Sequence, residues 1–84
     1  MEGRKLNLGC GPYRKEGYVN IDCNPLQSPD LLRDVRKGLP FDDDSVEEVW
    51  ASHFLEHLHP DEILDLIAEV WRVLVPGGKF LIRV

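Results

Sequence analysis

The chain has 84 residues, of which 43% are hydrophobic and 30% charged, and its formal net charge is −5. This is the balance of a single globular domain spanning residues 1–84, one small enough to bury only about 60% of the surface its unfolded form exposes. The apolar runs are too short to cross a bilayer, and the acidic balance weighs against nonspecific attraction to nucleic acid phosphates.

Lys5 to Leu8 reads as a short strand, stopped by Gly9 in "LNLGCGP". The stretch "GPYRKEG" that follows has no apolar face at helical spacing, so it reads as a loop. Tyr18 to Ile21 is the second strand, closed by Asp22 and then Asn24-Pro25. Leu31-Leu32 opens a weak third strand that ends at Asp34-Val35, and "KGLPFDDDS" is a turn region. Val46 to Ala51 is the fourth strand, and Ser52 to Leu58 a loop or short helical turn. Pro60 to Leu74 is the helix. Pro60 suits the first helical position, and Asp61 and Glu62 set negative charge at the positive end of the helix dipole. Ile63, Ile67, Val70, Trp71 and Leu74 recur every three or four residues and predict the buried stripe. Pro76-Gly77-Gly78 predicts a tight turn after the helix, and Phe80 to Val84 a fifth strand.

Strands separated by loops or a helix, without tight hairpin signals, predict parallel pairing in an α/β sheet. Ligands of such sheets bind beyond the carboxyl ends of the strands. The marked residues fall there: Gly9 and Gly11, then Asp22, then Asp34, then Ser52 and His53. Two glycines let another group approach the main chain closely, although Gly-x-Gly alone is also a plain tight turn. A carboxylate at the next strand end can accept both hydrogen bonds of a ribose diol, although Asp22 also suits a turn before Asn24-Pro25.

Four stretches in this order resemble the class I S-adenosylmethionine-dependent methyltransferases, a Rossmann-like family. They are "LNLGCGP", "VNIDCNP", "LPFDDDSVEEVWASHFLEHL" and "VWRVLVPGGKFLIRV". The resemblance covers nearly the whole chain. It implies a Rossmann-like three-layer fold with a mostly parallel five-stranded sheet in the order 3-2-1-4-5. It implies S-adenosylmethionine as cofactor, with S-adenosylhomocysteine as product. Gly9, Cys10 and Gly11 would lie at its methionine part, Asp22 at the ribose, Asp34 with Val35 at the adenine, and Ser52 with His53 near the sulfonium.

Two departures stand out. Between Gly11 and Asp22 the family usually has a full helix, and here only a loop fits; the third glycine of the longer motif is also missing. A bacterial sub-group with openings similar to "LNLGCG…GYVNID" has this shorter form. Tyr13, Tyr18 and Leu26 are then expected to cover the bared sheet face. The second departure is that the sequence stops at Val84, without strands six and seven of the family, which usually help build the acceptor site. The fifth strand would be a bare apolar edge, so a homo-oligomer through that edge, or a partner protein supplying the missing strands, is expected.

Methyl transfer from a sulfonium needs orientation and exclusion of water more than side-chain chemistry. His53, Glu56 and His57 are candidate bases by location alone, so the catalytic residue stays unknown. Those histidines with His59, Cys10 and Cys23 lack paired zinc-ligand spacing, and no metal is expected. A nicotinamide dinucleotide site would need a third glycine leading into a helix. The reading from a different class is a non-catalytic S-adenosylmethionine-binding module acting as a subunit. No leader opens the chain, and a cytoplasmic location with free thiols at Cys10 and Cys23 is expected.

Overall fold

The computed structural model describes residues 4–52 and 54–83. Five strands form one sheet: β1 (Arg4–Leu8), β2 (Val19–Asp22), β3 (Leu31–Leu32), β4 (Val46–Ser52) and β5 (Leu74–Arg83). Their order is β3-β2-β1-β4-β5 and every pairing is parallel. The expected order and strand direction are therefore found. One helix, α1 (Pro60–Val73), joins β4 to β5, and single 3-10 turns lie at Pro25–Gln27, Val35–Lys37 and Leu55–His57.

In-register residues of parallel neighbours share a face. Leu6 pairs with Val19 and Val49, and Leu8 with Ile21 and Ala51. This face packs under α1, and Leu6, Leu8, Ile21, Val49 and Ala51 join Leu66, Val70 and Val73 of the helix in the core. Burying each large side chain of this set contributes roughly 1.5–3 kcal/mol.

The helix sits rotated from the expected stripe. Val70 of that stripe is buried and Leu74 packs against the core, but Ile67 is 40% and Trp71 80% exposed, and Leu66 and Val73 are buried instead. Two apolar stripes at helical spacing compete in this sequence, and polar contacts choose between them. Glu69 Oε1 accepts from the Leu39 N–H at 2.7 Å, while Arg72 donates to the Leu39 carbonyl at 2.9 Å and to Asp43 Oδ1 at 2.7 Å. These contacts turn the Glu69–Arg72 flank toward segment 39–43, which carries Ile67 and Trp71 outward. At the helix start, Glu62 accepts from the His59 N–H at 2.9 Å, satisfying one otherwise orphaned donor. At its end, the Arg72 and Val73 carbonyls accept from the Asp44 and Ser45 amides.

Pro76-Gly77-Gly78 does not separate helix from strand. β5 begins at Leu74, directly after α1, and the three residues form a bulge inside it. Val46 faces Leu74 and Glu48 faces Lys79, so Glu47 alone stands opposite four residues. Gly77 has φ +83°, and a Cβ on Gly78 would lie 2.9 Å from the Val75 carbonyl oxygen. Both glycines are needed for the chain to loop out and rejoin the ladder.

Among the described residues no α-helix covers the second sheet face. The loop after β1 covers part of it, held by two buried asparagines on paired strand positions, Asn7 and Asn20. Asn20 Oδ1 accepts from Asn7 Nδ2 at 2.9 Å and from the Lys15 N–H at 2.8 Å. Asn20 Nδ2 donates to the Lys15 carbonyl and to Asp30, and Asn7 Nδ2 also donates to the Tyr13 carbonyl. Of the three residues expected to cover this face, only Tyr18 is half-buried, with its hydroxyl donating to Glu48. Tyr13 and Leu26 are 82% and 88% exposed; the asparagines bind the loop after β1 through its backbone and leave the Tyr13 side chain outside, and Leu26 lies in the separate turn after β2.

Candidate functional site

A cavity of about 900 Å³ opens at the carboxyl ends of the strands. That is within the usual range for small-molecule sites. It gathers Gly9, Cys10 and Gly11 after β1, Asp22 at the end of β2, Asp34 and Val35 after β3, and Ser52 at the end of β4. His53, the remaining expected residue, lies outside the described residues. Thus seven of the eight positions singled out in the sequence border one space.

The two glycines are required for different reasons. Gly9 has φ +59°, and a Cβ there would lie 2.3 Å from the Phe54 ring. Gly11 has φ +52°, but a Cβ there would meet nothing within 4 Å. The first glycine lets an aromatic wall close against the turn. The second leaves main chain open toward the cavity. Between them, the Cys10 N–H donates to the Ile21 carbonyl at 3.1 Å, tying the turn to β2. Burial, reinforced by the Asp22 carboxylate, pushes the Cys10 thiol pKa up. Cys10 is therefore a neutral, apolar part of the wall at neutral pH.

Asp22 links the two halves of the floor. Its Oδ2 accepts from the Gly11 N–H at 2.9 Å and its Oδ1 from the Asn24 N–H at 2.8 Å. A carboxylate has about four acceptor positions, so two remain for a ligand. Asp34 is more heavily engaged. Its Oδ1 accepts from the Arg36 N–H at 3.0 Å, and the Arg36 guanidinium donates to both oxygens at 2.8 to 3.2 Å. The Arg36 guanidinium holds the Asp34 carboxyl at a pKa of about 2. Arg36 also reaches Glu62 at 3.5 Å and so joins this rim to the start of α1.

Sequence reasoning missed Phe54, Arg36 and Arg83, all of which line the cavity. Phe54 follows the fourth strand closely, where an aromatic wall is a reasonable expectation. Arg36 stands two residues after an acid, a spacing that a local ion pair fits. Arg83 gave no signal, since its place depends on β5 lying beside β4. Chemically, the cavity combines open main chain, a carboxylate with spare acceptor positions and apolar walls at Phe54, Val35 and Leu58. That set suits a ligand with a vicinal diol and a flat ring.

A family model described as a methyltransferase domain matches residues 18–82. Among solved structures, the chain superimposes on PH0226 protein from Pyrococcus horikoshii OT3 with TM-score 0.77 and 25% identity, covering 98% of this chain and 49% of that one. It also superimposes on a Methanococcus maripaludis protein assigned as an S-adenosyl-L-methionine-dependent methyltransferase, with TM-score 0.75 and 15% identity. That match covers 95% of this chain and 47% of the other. The chain spans about half the length of both. No curated protein matches it. The family match takes in β2 through most of β5, and with the fold it settles the classification: the chain belongs to the methyltransferase domain family.

Proposed function

We propose that this domain binds S-adenosylmethionine and supplies the donor-holding half of a methyl transfer. The observation that carries the reading is the pairing of the open Gly11 main chain with the Asp22 carboxylate inside one large cavity. In this reading Asp22 uses its two spare acceptor positions for the ribose diol. Asp34 and Val35 border the base, with Asp34 kept ionised by Arg36. Gly9 to Gly11 support the amino-acid portion, and Ser52 borders the reacting end, as the sequence reading assigns to His53 as well. The cofactor brings a methyl group on a positively charged sulfur, a ready leaving group. The chain's own work is to fix position and exclude water, which Phe54 and the neutral Cys10 assist. The Methanococcus maripaludis likeness supports the choice of cofactor.

Calorimetric titration with S-adenosylhomocysteine tests the proposal. Saturable binding, weakened tenfold or more by Asp22→Ala (about 1.4 kcal/mol), is expected. No binding by the folded wild-type chain overturns it. Binding without transfer of labelled methyl groups to any acceptor in a cell extract favours the subunit reading instead.

We further propose that chains associate through β5, the outer strand of the sheet, on which Ile82 is 49% exposed. An unpaired strand edge with apolar side chains is a template for pairing. A monomeric mass by light scattering at micromolar concentration overturns this. Among the described residues no helix is long and apolar enough to cross a membrane.

A further inference from the structure

We infer that Arg83 is an anion-recognition residue that selects a methyl acceptor carrying a phosphate or carboxylate group; this rests on the cofactor reading above. Three arginines line the cavity, and two are committed elsewhere. Arg33 donates to the Gly38 carbonyl at 3.1 Å and the Lys37 carbonyl at 2.9 Å. Arg36 is held by Asp34 and Glu62. The guanidinium of Arg83, exposed at the end of β5, has no hydrogen-bond or ion-pair partner among the described residues. Its guanidinium is a fork of donors matched to phosphate or carboxylate oxygens.

Topology fixes which end of the cavity Arg83 serves. Ser52 pairs with Arg83, so the guanidinium belongs to the strand beside Ser52. The sheet order sets three strand spacings, about 14 Å, between the strands of Arg83 and Asp22. That exceeds the screening length of about 8 Å at physiological salt. The cavity's two carboxylates, Asp22 and Asp34, therefore do not neutralise Arg83. At the β2–β3 end the cavity sets two carboxylates, Asp22 and Asp34, beside two arginines, Arg33 and Arg36, whereas at the β5 end the Arg83 cation has no carboxylate beside it among the described lining residues. With a donor held over β1 to β3, the second substrate enters from the β4–β5 side, and the charge there is positive.

The test uses isotopically labelled chain observed by NMR. Wild type is first titrated with S-adenosylhomocysteine, and the saturated protein then with inorganic phosphate in one arm and malonate in the other. Saturable shifts of the Ser52 amide and the Arg83 Nε–H are expected. They should weaken fivefold or more in Arg83→Gln, recover in part in Arg83→Lys, and persist in Lys79→Gln, which alters a cation of β5 outside the cavity. The stronger arm identifies the acceptor group as phosphate or carboxylate. Bound S-adenosylhomocysteine with no saturable anion shift, or with equal shifts in Arg83→Gln and Lys79→Gln, overturns the inference alone. Absence of S-adenosylhomocysteine binding overturns the cofactor reading, and this inference with it. A dispersed spectrum of Arg83→Gln verifies that the variant is folded.

Discussion

Asn7 on β1 donates to Asn20 on β2 across 2.9 Å of buried space, and between them they hold the loop that stands where a helix would otherwise cover the sheet. Strand positions that would carry apolar side chains under a helix carry amides instead, because a loop offers backbone groups that must be satisfied. The Asn20 amide alone serves the Lys15 N–H, the Lys15 and Tyr18 carbonyls, Asn7 and Asp30. Asn20→Ala is accordingly expected to destabilise the domain by about 2–3 kcal/mol, since it orphans buried donors and acceptors together. Urea denaturation measures this. A loss within experimental error of zero would show that the loop holds without its anchor.

The glycines separate fold from binding. Gly9→Ala forces a Cβ into the Phe54 ring at a positive φ, and a loss of about 2 kcal/mol or more is expected. Gly11→Ala meets open space and carries only the backbone strain of φ +52°. It should cost less stability than Gly9→Ala yet weaken S-adenosylhomocysteine binding more per kcal/mol lost. Thermal melts alongside calorimetry distinguish the two, and equal binding by wild type and Gly11→Ala would count against the open main chain as a contact.

Low pH should weaken the fold in a defined window. Asp30 and Asp34 have folded pKa values of about 2, against an ordinary value of 3.8. The Asn20 amide groups and Arg14 hold Asp30 down, and Arg36 holds Asp34 down. A lowered folded pKa gives stability that is present above the unfolded value and is lost as pH falls through the folded one. The expected loss lies between about pH 4 and pH 2, and Asp30→Asn should flatten part of it. Both groups are near the surface, so salt should shrink the effect. Unfolding midpoints measured across that range, with and without salt, check both statements.

Legibility in the sequence followed the range of the interaction. The short apolar runs of the strands, the Pro60 start of α1 and the Gly9–Gly11 turn are local, and each is found in the structure. The β2 and β3 ends were legible because Asp22 and Asp34 stop apolar runs. Asn7 and Asn20 were not, because a polar residue in a short strand is informative only once the register sets Asn7 opposite Asn20. The rotation of α1 was hidden for a similar reason. Ile67 and Trp71 suit a buried helical stripe with Val70 as well as Leu66 and Val73 do, and the choice rests on Glu69 and Arg72 meeting a loop thirty residues away. The Pro-Gly-Gly bulge likewise depends on Val46 pairing with Leu74 before Glu48 pairs with Lys79.

The outward flank of α1 gives a further expectation. Leu64, Ile67 and Trp71 form an exposed apolar stripe. Trp71→Glu should leave monomer stability within about 0.5 kcal/mol, because the side chain is 80% exposed. If association uses this flank as well as β5, the same substitution lowers the mass seen by light scattering. A large loss of stability in Trp71→Glu would mean that the indole is packed in solution.

The order β3-β2-β1-β4-β5 also governs when this chain can fold. Its first strand is the middle of the sheet. During synthesis β1 gains one neighbour when β2 emerges, but its other side stays unpaired until residues 46–52 leave the ribosome. The helix that covers the core follows later still. No early hairpin relieves the wait, because every strand pair is parallel and needs its crossover completed first. The nascent chain thus carries its central strand, which ends in the buried run Leu6 to Leu8, unprotected longest, and chaperone dependence should peak before α1 is translated.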